Sequence, residues 1–598
     1  MSARQRALIA AGVVVAAALP AAVTDPQSRI HAATALTFLL ASLGLWAAVG
    51  GAGIPSLAQG AFVGLSAYVT VMLRVYRGWD PIAAAAAGVL VAVIAGVAVG
   101  AAVARFRPAF AAVATWLAAW TFALAIDAFA AATRGRSGLV VPVPTVRLDS
   151  LGVQFTAGPV ALYELAVGAV VVSALALLAL ERRYGPALAL MREDAAAARA
   201  TGIAVERLRV GALAVSAALG GAAGVLLVHL DGVTDPTRYG PLLSVKLFIV
   251  VVLGGVASAA GPVVGLTALV AVDRVTHALT GAFGGTTDRV QPLAAGVTLL
   301  FVLVVAGRGL VPAFTSRWKR RALRQHARAR VPLTPEPATP PINGTWLEAY
   351  DLAVSFGGIE ALRGVDIMVE PGGCHAVIGP NGSGKTTLLR LLAGIVPAHA
   401  GVIWLGETEI TRYRARRRRQ QGLGRTLQRP AVAVGATPMA HVVAAADASR
   451  RDGWLRALLA TPRARAARKD VERDARRWLA VVGLIAAADR DVAELNAFAR
   501  RLLQIAMALA GGTRVVLLDE PSAGMRGAEE DVLLDVLSTL RAAGITMVIV
   551  EHNLHLVARI ADEVTVLDAG VIIARGLPSE VIREPAVVAA YLGDDADP

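Results

Sequence analysis

Gly379-Pro380-Asn381-Gly382-Ser383-Gly384-Lys385-Thr386-Thr387 fits the phosphate-binding pattern G-x-x-x-x-G-K-[ST]. Residues 374–378 before it read as a short buried strand, and 386–392 after it as a helix opening. Strand, glycine-rich loop and helix N-terminus together put backbone N–H groups where phosphates bind. The nine loop residues are therefore expected to contact a nucleotide, Lys385 on the β/γ-phosphates and Thr386 on Mg²⁺. A glycine-rich turn that matched by chance would lack this strand–loop–helix setting.

Outward from the loop, composition divides the chain. Its 598 residues exceed one core, and a hydrophobic fraction of 56% with mean hydropathy +0.60 demands membrane spans. The apolar part lies before residue 345. The single cysteine, Cys374, excludes an internal disulfide and reads as a packed strand residue. No Cys/His cluster has metal-ligand spacing. A net charge of +14 would suggest nucleic acid in a soluble protein. Here the positive-inside rule and a basic linker account for the excess, so no nucleic-acid partner is expected.

About ten apolar segments follow from the ~20-residue length a bilayer requires. They cover 7–23, 31–52, 57–73, 82–103, 109–131, 158–180, 208–230, 243–257, 261–275 and 290–307. The N-terminal one has signal-peptide features but reads as an uncleaved span. Between 243–257 and 261–275, Gly254-Gly255, Ser258 and Gly261-Pro262 predict a tight return or a pair of broken half-helices. A nucleotide domain after residue 345 needs cytosolic ATP, and ten crossings then place the N-terminus inside. Arg4, Arg6, Arg105, Arg107 and the basic stretches near 181–209 and 317–330 agree, while Arg134 and Arg136 do not. Small residues such as Gly220-Gly221-Ala222-Ala223-Gly224 suit a closely packed bundle. Asp127 and Lys246 are ionisable residues in or near spans, Asp127 expected within the bundle and Lys246 equally consistent with snorkelling.

The polar loop 184–209 reads as one amphipathic helix, 187–201, ended by Gly202. Tyr184-Gly185-Pro186-Ala187-Leu188, Arg192-Glu193-Asp194 and Ala200-Thr201-Gly202-Ile203 resemble the coupling loop of branched-chain amino-acid ABC importer permeases. Gly50-Gly51-Ala52-Gly53, Gln59-Gly60-Ala61-Phe62, Gly135-Arg136-Ser137-Gly138-Leu139 and Val252-Leu253-Gly254-Gly255 extend the likeness over roughly 30–312. Lys246 departs from the family, which tends to an acidic or neutral residue there. The resemblance implies that the loop helix sits in a groove of an ATPase.

Seven Lys/Arg between Arg317 and Arg330, then Pro332, Pro335, Pro337, Pro340 and Pro341, read as a membrane-lipid anchor and a semi-rigid spacer. Three regions result: a transmembrane permease domain 1–313, a linker 314–345 and an ATP-binding domain 346–598. From 346 the pattern is α/β, with strands expected at 374–378, 515–518 and 546–550. The apolar strand 515–518 places Asp519 at its end, where it can hold Mg²⁺, with Glu520 beside it as base for the attacking water.

This half resembles the ATPase subunit of the same importers, an ABC-type nucleotide-binding domain. The likeness rests on Gly424-Arg425-Thr426-Leu427-Gln428, Asp519-Glu520-Pro521-Ser522-Ala523-Gly524, Glu551-His552-Asn553 and Ala590-Tyr591-Leu592-Gly593. It implies that Gln428 senses Mg²⁺, that His552 contacts the γ-phosphate and that Phe356 stacks on adenine. The closing signature L-S-G-G-Q is here Leu495-Asn496-Ala497-Phe498-Ala499, with Phe498 in place of a glycine and Ala499 in place of the glutamine. Arg526 likewise replaces an acidic or amide residue.

The resemblance thus implies ATP-driven import of branched-chain or similar small amino acids across the cytoplasmic membrane. It also implies a second permease, a second ATPase with an intact signature and an extracytoplasmic solute-binding protein. Two alternatives stand beside it: a degenerate or regulatory ATP-binding subunit gating a membrane pathway, and an importer of urea, amides or other small solutes. The coupling-loop likeness disfavours an exporter.

Overall fold

The computed structural model describes residues 25–148, 153–156, 158–234, 236–282, 342–426, 432–433, 435–449 and 462–592, with 296–297, 300, 304, 309–313 and 335. The expected span 7–23, most of 290–307, nearly all of the linker and Gln428 lie outside them. The chain divides into two compact units: Met1–Arg182 with Glu206–Ala322, and Arg183–Val205 with Leu323–Pro598.

The first unit is a helical bundle: α1 (Pro26–Trp46), α2 (Gln59–Arg77), α3 (Pro81–Val103), α4 (Pro108–Ala128), most of α5 (Pro159–Glu193), then α7 (Val205–Asp231), α8 (Pro241–Gly254) and α9 (Gly261–Ala282). Among the described residues, six helical segments are long and apolar enough to cross a membrane: Gln27–Gly51, Pro81–Val103, Pro108–Ala128, Pro159–Glu181, Val205–Asp231 and Pro236–Gly254. The segments expected at 57–73 and 261–275 are helical, as α2 and α9, but are not among the six.

Starts are set by local chemistry. Asp25 and Asp80 cap α1 and α3 through their carboxylates, and each cap is followed by proline. Small residues let backbones meet: a Cβ on Gly224 would lie 2.0 Å from Val63 O, and one on Gly60 2.1 Å from Gly240 O. Buried Gln59 joins three segments, its Nε2 donating to Ala41 O and Ser216 O while Ser216 Oγ donates to its Oε1 at 2.7 Å. These three hydrogen bonds offset the desolvation of the buried amide.

The expected tight return is present: α8 and α9 are joined by residues 255–260, and a Cβ on Gly254 would lie 1.7 Å from Gly261 O. Asp127 corrects the sequence reading. It is exposed near the end of α4, as is Lys246 on α8, so neither is packed among this unit's helices. The period of α4 turns its buried positions, Ala111, Thr115, Ala119 and Ile126, away from Asp127.

The second unit begins with the end of α5 and α6 (Ala195–Ala200). Here too the structure differs from the expected helix 187–201. α5 runs through Pro186 to Glu193, and Asp194 breaks it with an extended backbone, capping α6 by accepting from Ala196 N and Ala197 N. Gly202, at φ +87°, ends the segment.

Two sheets follow. A four-stranded antiparallel sheet has the order β2-β1-β4-β5, from β1 (Leu347–Phe356), β2 (Ile359–Val369), β4 (Ala400–Leu405) and β5 (Thr408–Glu409). The six-stranded sheet has the order β10-β9-β3-β8-β7-β6. Its strands are β3 (Cys374–Ile378), β6 (Leu423–Arg425), β7 (Val515–Asp519), β8 (Thr546–Val550), β9 (Glu563–Asp568) and β10 (Val571–Gly576). All are parallel except β10, and β3, β7 and β8 are buried throughout, as a doubly covered sheet requires. Cys374 is buried in β3 and its thiol is pushed up to about 12 by burial, as a packed strand residue should be.

Candidate functional site

Three parallel strands end side by side. β3 leads into the loop 379–384 and then α10 (Lys385–Leu392), β7 ends at Asp519, and β8 leads to Glu551 and His552. In open α/β sheets this carboxyl edge is where ligands bind.

The loop's shape depends on its glycines. Gly379 has φ +143°, and a Cβ there would lie 2.0 Å from Leu567 O; Gly384 has φ +104°, with Ala361 O 2.7 Å from the same point. Neither position admits a side chain without rearrangement. Gly384 caps α10 without any side-chain bond, so the first N–H groups of the helix stay available. Lys385 Nζ donates to Gly379 O at 2.8 Å and Pro380 O at 2.7 Å, which holds the ammonium over the loop. Burial lowers its pKa, while the charges of Glu520 and Asp519 act to raise it. Thr386 and Thr387 are half-buried on the first turn of α10.

Asp519 is almost fully buried. Burial pushes its carboxyl above the ordinary range and Arg425 pulls it down. Its Oδ2 accepts from Arg425 Nη2 at 3.1 Å, whereas Oδ1 has no hydrogen-bond partner among the described residues. That orphaned oxygen, beside a lysine and a second carboxylate, fits an Mg²⁺–phosphate group, since Mg²⁺ takes one or two carboxylates with waters and phosphates. Among the described residues no cluster of three or more His, Cys, Asp and Glu forms an all-protein metal cage. Glu520 follows at φ +46°, its N–H donating to Val550 O at 2.9 Å, and its Oε1 lies 3.1 Å from His552 Nε2.

Two supporting roles escaped the sequence reading. Glu551 accepts from Ser522 N at 2.7 Å, Ser522 Oγ at 2.9 Å and His552 N at 3.1 Å, tying the turn after Glu520 to His552. Thr426 Oγ1 accepts from Asp519 N at 3.0 Å, so Arg425 and Thr426 hold the aspartate at side chain and main chain. Both lie inside quoted motifs, yet their partners are 93 to 94 positions away. Phe356 ends β1 with half its surface exposed.

After α11 (Ala415–Gln420), α12 (Pro438–Ser449) and α13 (Pro462–Val481), the signature stretch opens α14 (Ala497–Leu509). Asn496 Oδ1 accepts from Ala499 N at 2.7 Å, Asn496 and Ala497 are exposed, and the Phe498 ring is 5% exposed within its own domain. Phe498 is thus a core residue of the cassette rather than a ring projecting from its surface. Arg526 is exposed after β7.

Within the same unit, Leu190, Ala197 and Thr201 of the cytosolic segment border a small cavity with Arg425, Thr426, Gln504 and Met507. Gly202 packs on Arg419, whose Cγ lies 2.9 Å from where a Cβ would stand.

Residues 362–523 match the ABC transporter family, and 571–597 the branched-chain amino acid ATP-binding cassette transporter family. Residues 30–306 match the permease component of the branched-chain amino acid transport system. The high-affinity branched-chain amino acid transport ATP-binding protein BraF of Pseudomonas aeruginosa is 32% identical over 249 residues, covering 42% of this chain and 98% of BraF. The chain belongs to the branched-chain amino-acid ABC transporter family. LivG of Escherichia coli, a protein of the same description, is 30% identical over the same shares. The lipopolysaccharide export system ATP-binding protein LptB of Acidithiobacillus ferridurans is 31% identical, over 42% of this chain and 97% of LptB. A crystal structure of a nucleotide-free ATP-binding cassette from an ABC transporter has a TM-score of 0.37 and 28% identity, over 42% of this chain and all of that one. This family member thus carries permease and nucleotide-binding ATPase domains in one chain, with membrane-type helices in the first.

Proposed function

We propose that this chain is a fused permease and ATPase subunit driving import of branched-chain or similar small amino acids across the cytoplasmic membrane. The observation that carries the reading is the branched-chain permease match at 30–306 in one polypeptide with a cassette whose C-terminal 571–597 matches the branched-chain type. The cassette alone would not choose a cargo, since LptB is as similar as LivG. We assign 1–313 to the permease, 314–345 to the linker and 346–598 to the cassette, which faces the cytosol.

In the proposed site the main chain of residues 379–387 cradles the phosphates, Lys385 holds the β/γ oxygens and Phe356 stacks on adenine. Thr386, Gln428 and Asp519 would hold Mg²⁺, which neutralises charge on the phosphates. Glu520 takes the proton of the attacking water, and His552, 3.1 Å from it, reaches the γ-phosphate. The closing half of the site comes from a second ATPase with an intact signature, because 495–499 lacks the glycines and glutamine. A second permease and a solute-binding protein complete the assembly. ATP-driven closure would move the segment 183–205 and alternate access through the bundle.

The test is uptake of radiolabelled leucine by cells lacking other importers, carrying this chain with its genomic neighbours. Glu520→Gln should abolish uptake. Unchanged uptake would favour the regulatory alternative.

A further inference from the structure

Arg425 stands between two parts that the transport reading treats separately. On one side its Nη2 donates to Asp519 Oδ2, the two side chains being 4% and 1% exposed. It also lines the cavity bordered by Leu190, Ala197 and Thr201 of the cytosolic segment. Its Nε and Nη1 are buried with no hydrogen-bond partner among the described residues. A guanidinium presents five donors in a rigid fork, so an arginine with unused donors at a cavity edge responds to what fills that cavity. Thr426 borders the same cavity while its Oγ1 accepts from Asp519 N and its N–H donates to Leu517 O at 2.9 Å. Both residues lie at the end of β6, the edge strand beside β7, and therefore grip the aspartate's strand directly.

We propose that Arg425, with Thr426, is a positioning link through which the cytosolic segment 183–205 sets where the Asp519 carboxylate sits. The inference rests on reading Asp519 as the Mg²⁺-holding carboxylate. A shift of the segment then changes affinity for Mg²⁺-bound ATP and leaves affinity for ATP alone untouched. The link is short: one cavity separates the segment from the guanidinium, and one ion pair separates the guanidinium from Asp519.

The test is equilibrium binding of ATP to the full-length chain in lipid nanodiscs, by displacement of a fluorescent ATP analogue, with Mg²⁺ and with EDTA. The readout is the factor by which Mg²⁺ tightens binding. Ala197→Leu, which overfills this water-sized cavity and displaces its walls, should change that factor at least about fivefold, the lower end of measured couplings, while binding in EDTA stays the same. Arg425→Met should change the factor by itself, and adding Ala197→Leu to it should have no further effect. Arg425→Lys, which keeps the charge but loses the fork, should fall between. Additive effects of the two substitutions, or equal shifts with and without Mg²⁺, overturn the inference. If Arg425→Met fails to bind ATP in EDTA and so has lost its fold, the cycle is run on Arg425→Lys with Thr201→Val; full additivity there overturns it too. Failure of the unaltered chain to bind ATP would overturn the nucleotide reading itself.

Discussion

Two helix N-termini in the cassette invite comparison, α10 after the phosphate-binding loop and α14 after the signature stretch. At α10 the cap is a glycine at φ +104° with no side-chain bond, and the lysine that follows lies over the loop. At α14 the cap is Asn496, whose own amide oxygen takes the Ala499 N–H, and Phe498 packs inward. The helix dipole is common to both ends, so it does not decide which of them receives an anion. What differs is whether the N–H groups are left for a ligand or satisfied from within. A protein surface becomes a phosphate site by leaving its backbone donors unspent and its Cα atoms bare.

Single substitutions at these two helix ends test that contrast. The largest effect is expected at Phe498. Because its ring is core, Phe498→Ala should destabilise the cassette by about 3–5 kcal/mol in denaturant titration, without conferring hydrolysis on the chain alone. A neutral substitution would mean the ring is not packing. Next comes Lys385→Ala, which removes a charged donor from the phosphates and should weaken ATP binding by about 2–3 kcal/mol, on the order of a hundredfold. Equilibrium titration reads that directly, and near-normal affinity would take the loop out of the site.

Asn496→Ala removes only a cap and should lower stability by about 1 kcal/mol. The helix end then has one more free N–H, so any gain in phosphate affinity there would show capping to be what closes it. The smallest effect concerns β9, which backs the loop. Glu563 is held down to about 2, from an ordinary 4.5, by hydrogen bonds from His375 and Arg575. A depressed carboxyl contributes stability above pH ~4.5 and loses it as pH falls towards 2. Glu563→Gln should therefore lower the unfolding temperature at pH 7 and narrow the gap to the unaltered chain near pH 3. An equal gap at both values would contradict the ion pair's role.

The features legible in the sequence are those set by local pattern. The strands expected at 374–378, 515–518 and 546–550 are found as Cys374–Ile378, Val515–Asp519 and Thr546–Val550, because unbroken apolar runs bounded by turns have few other uses. The glycine loop and its following helix were legible for the same reason. Long-range partners were not. Arg418 and Arg419 sit in a run of four consecutive arginines, 416–419, a local pattern that names no partner. Both are buried, Arg418 capping α10 at Leu391 O and Leu392 O, Arg419 bonding Met507 O and Thr513 Oγ1 beyond the end of α14. Burial holds each near 10.

The break at Asp194 is not legible in the sequence, because the helical pattern continues across it and only the carboxylate's bonds to Ala196 N and Ala197 N reveal a cap. The exposure of Asp127 is not legible either, because span length says nothing of which face a helix buries.

Whether this chain needs a second ATPase to close its site is read by comparing ATP hydrolysis by the purified full-length chain alone and with a second ATPase carrying an intact signature. ATP should bind in both cases, and cooperative hydrolysis should arise only with the partner and be lost again with Glu520→Gln. Robust cooperative hydrolysis by this chain alone would contradict it.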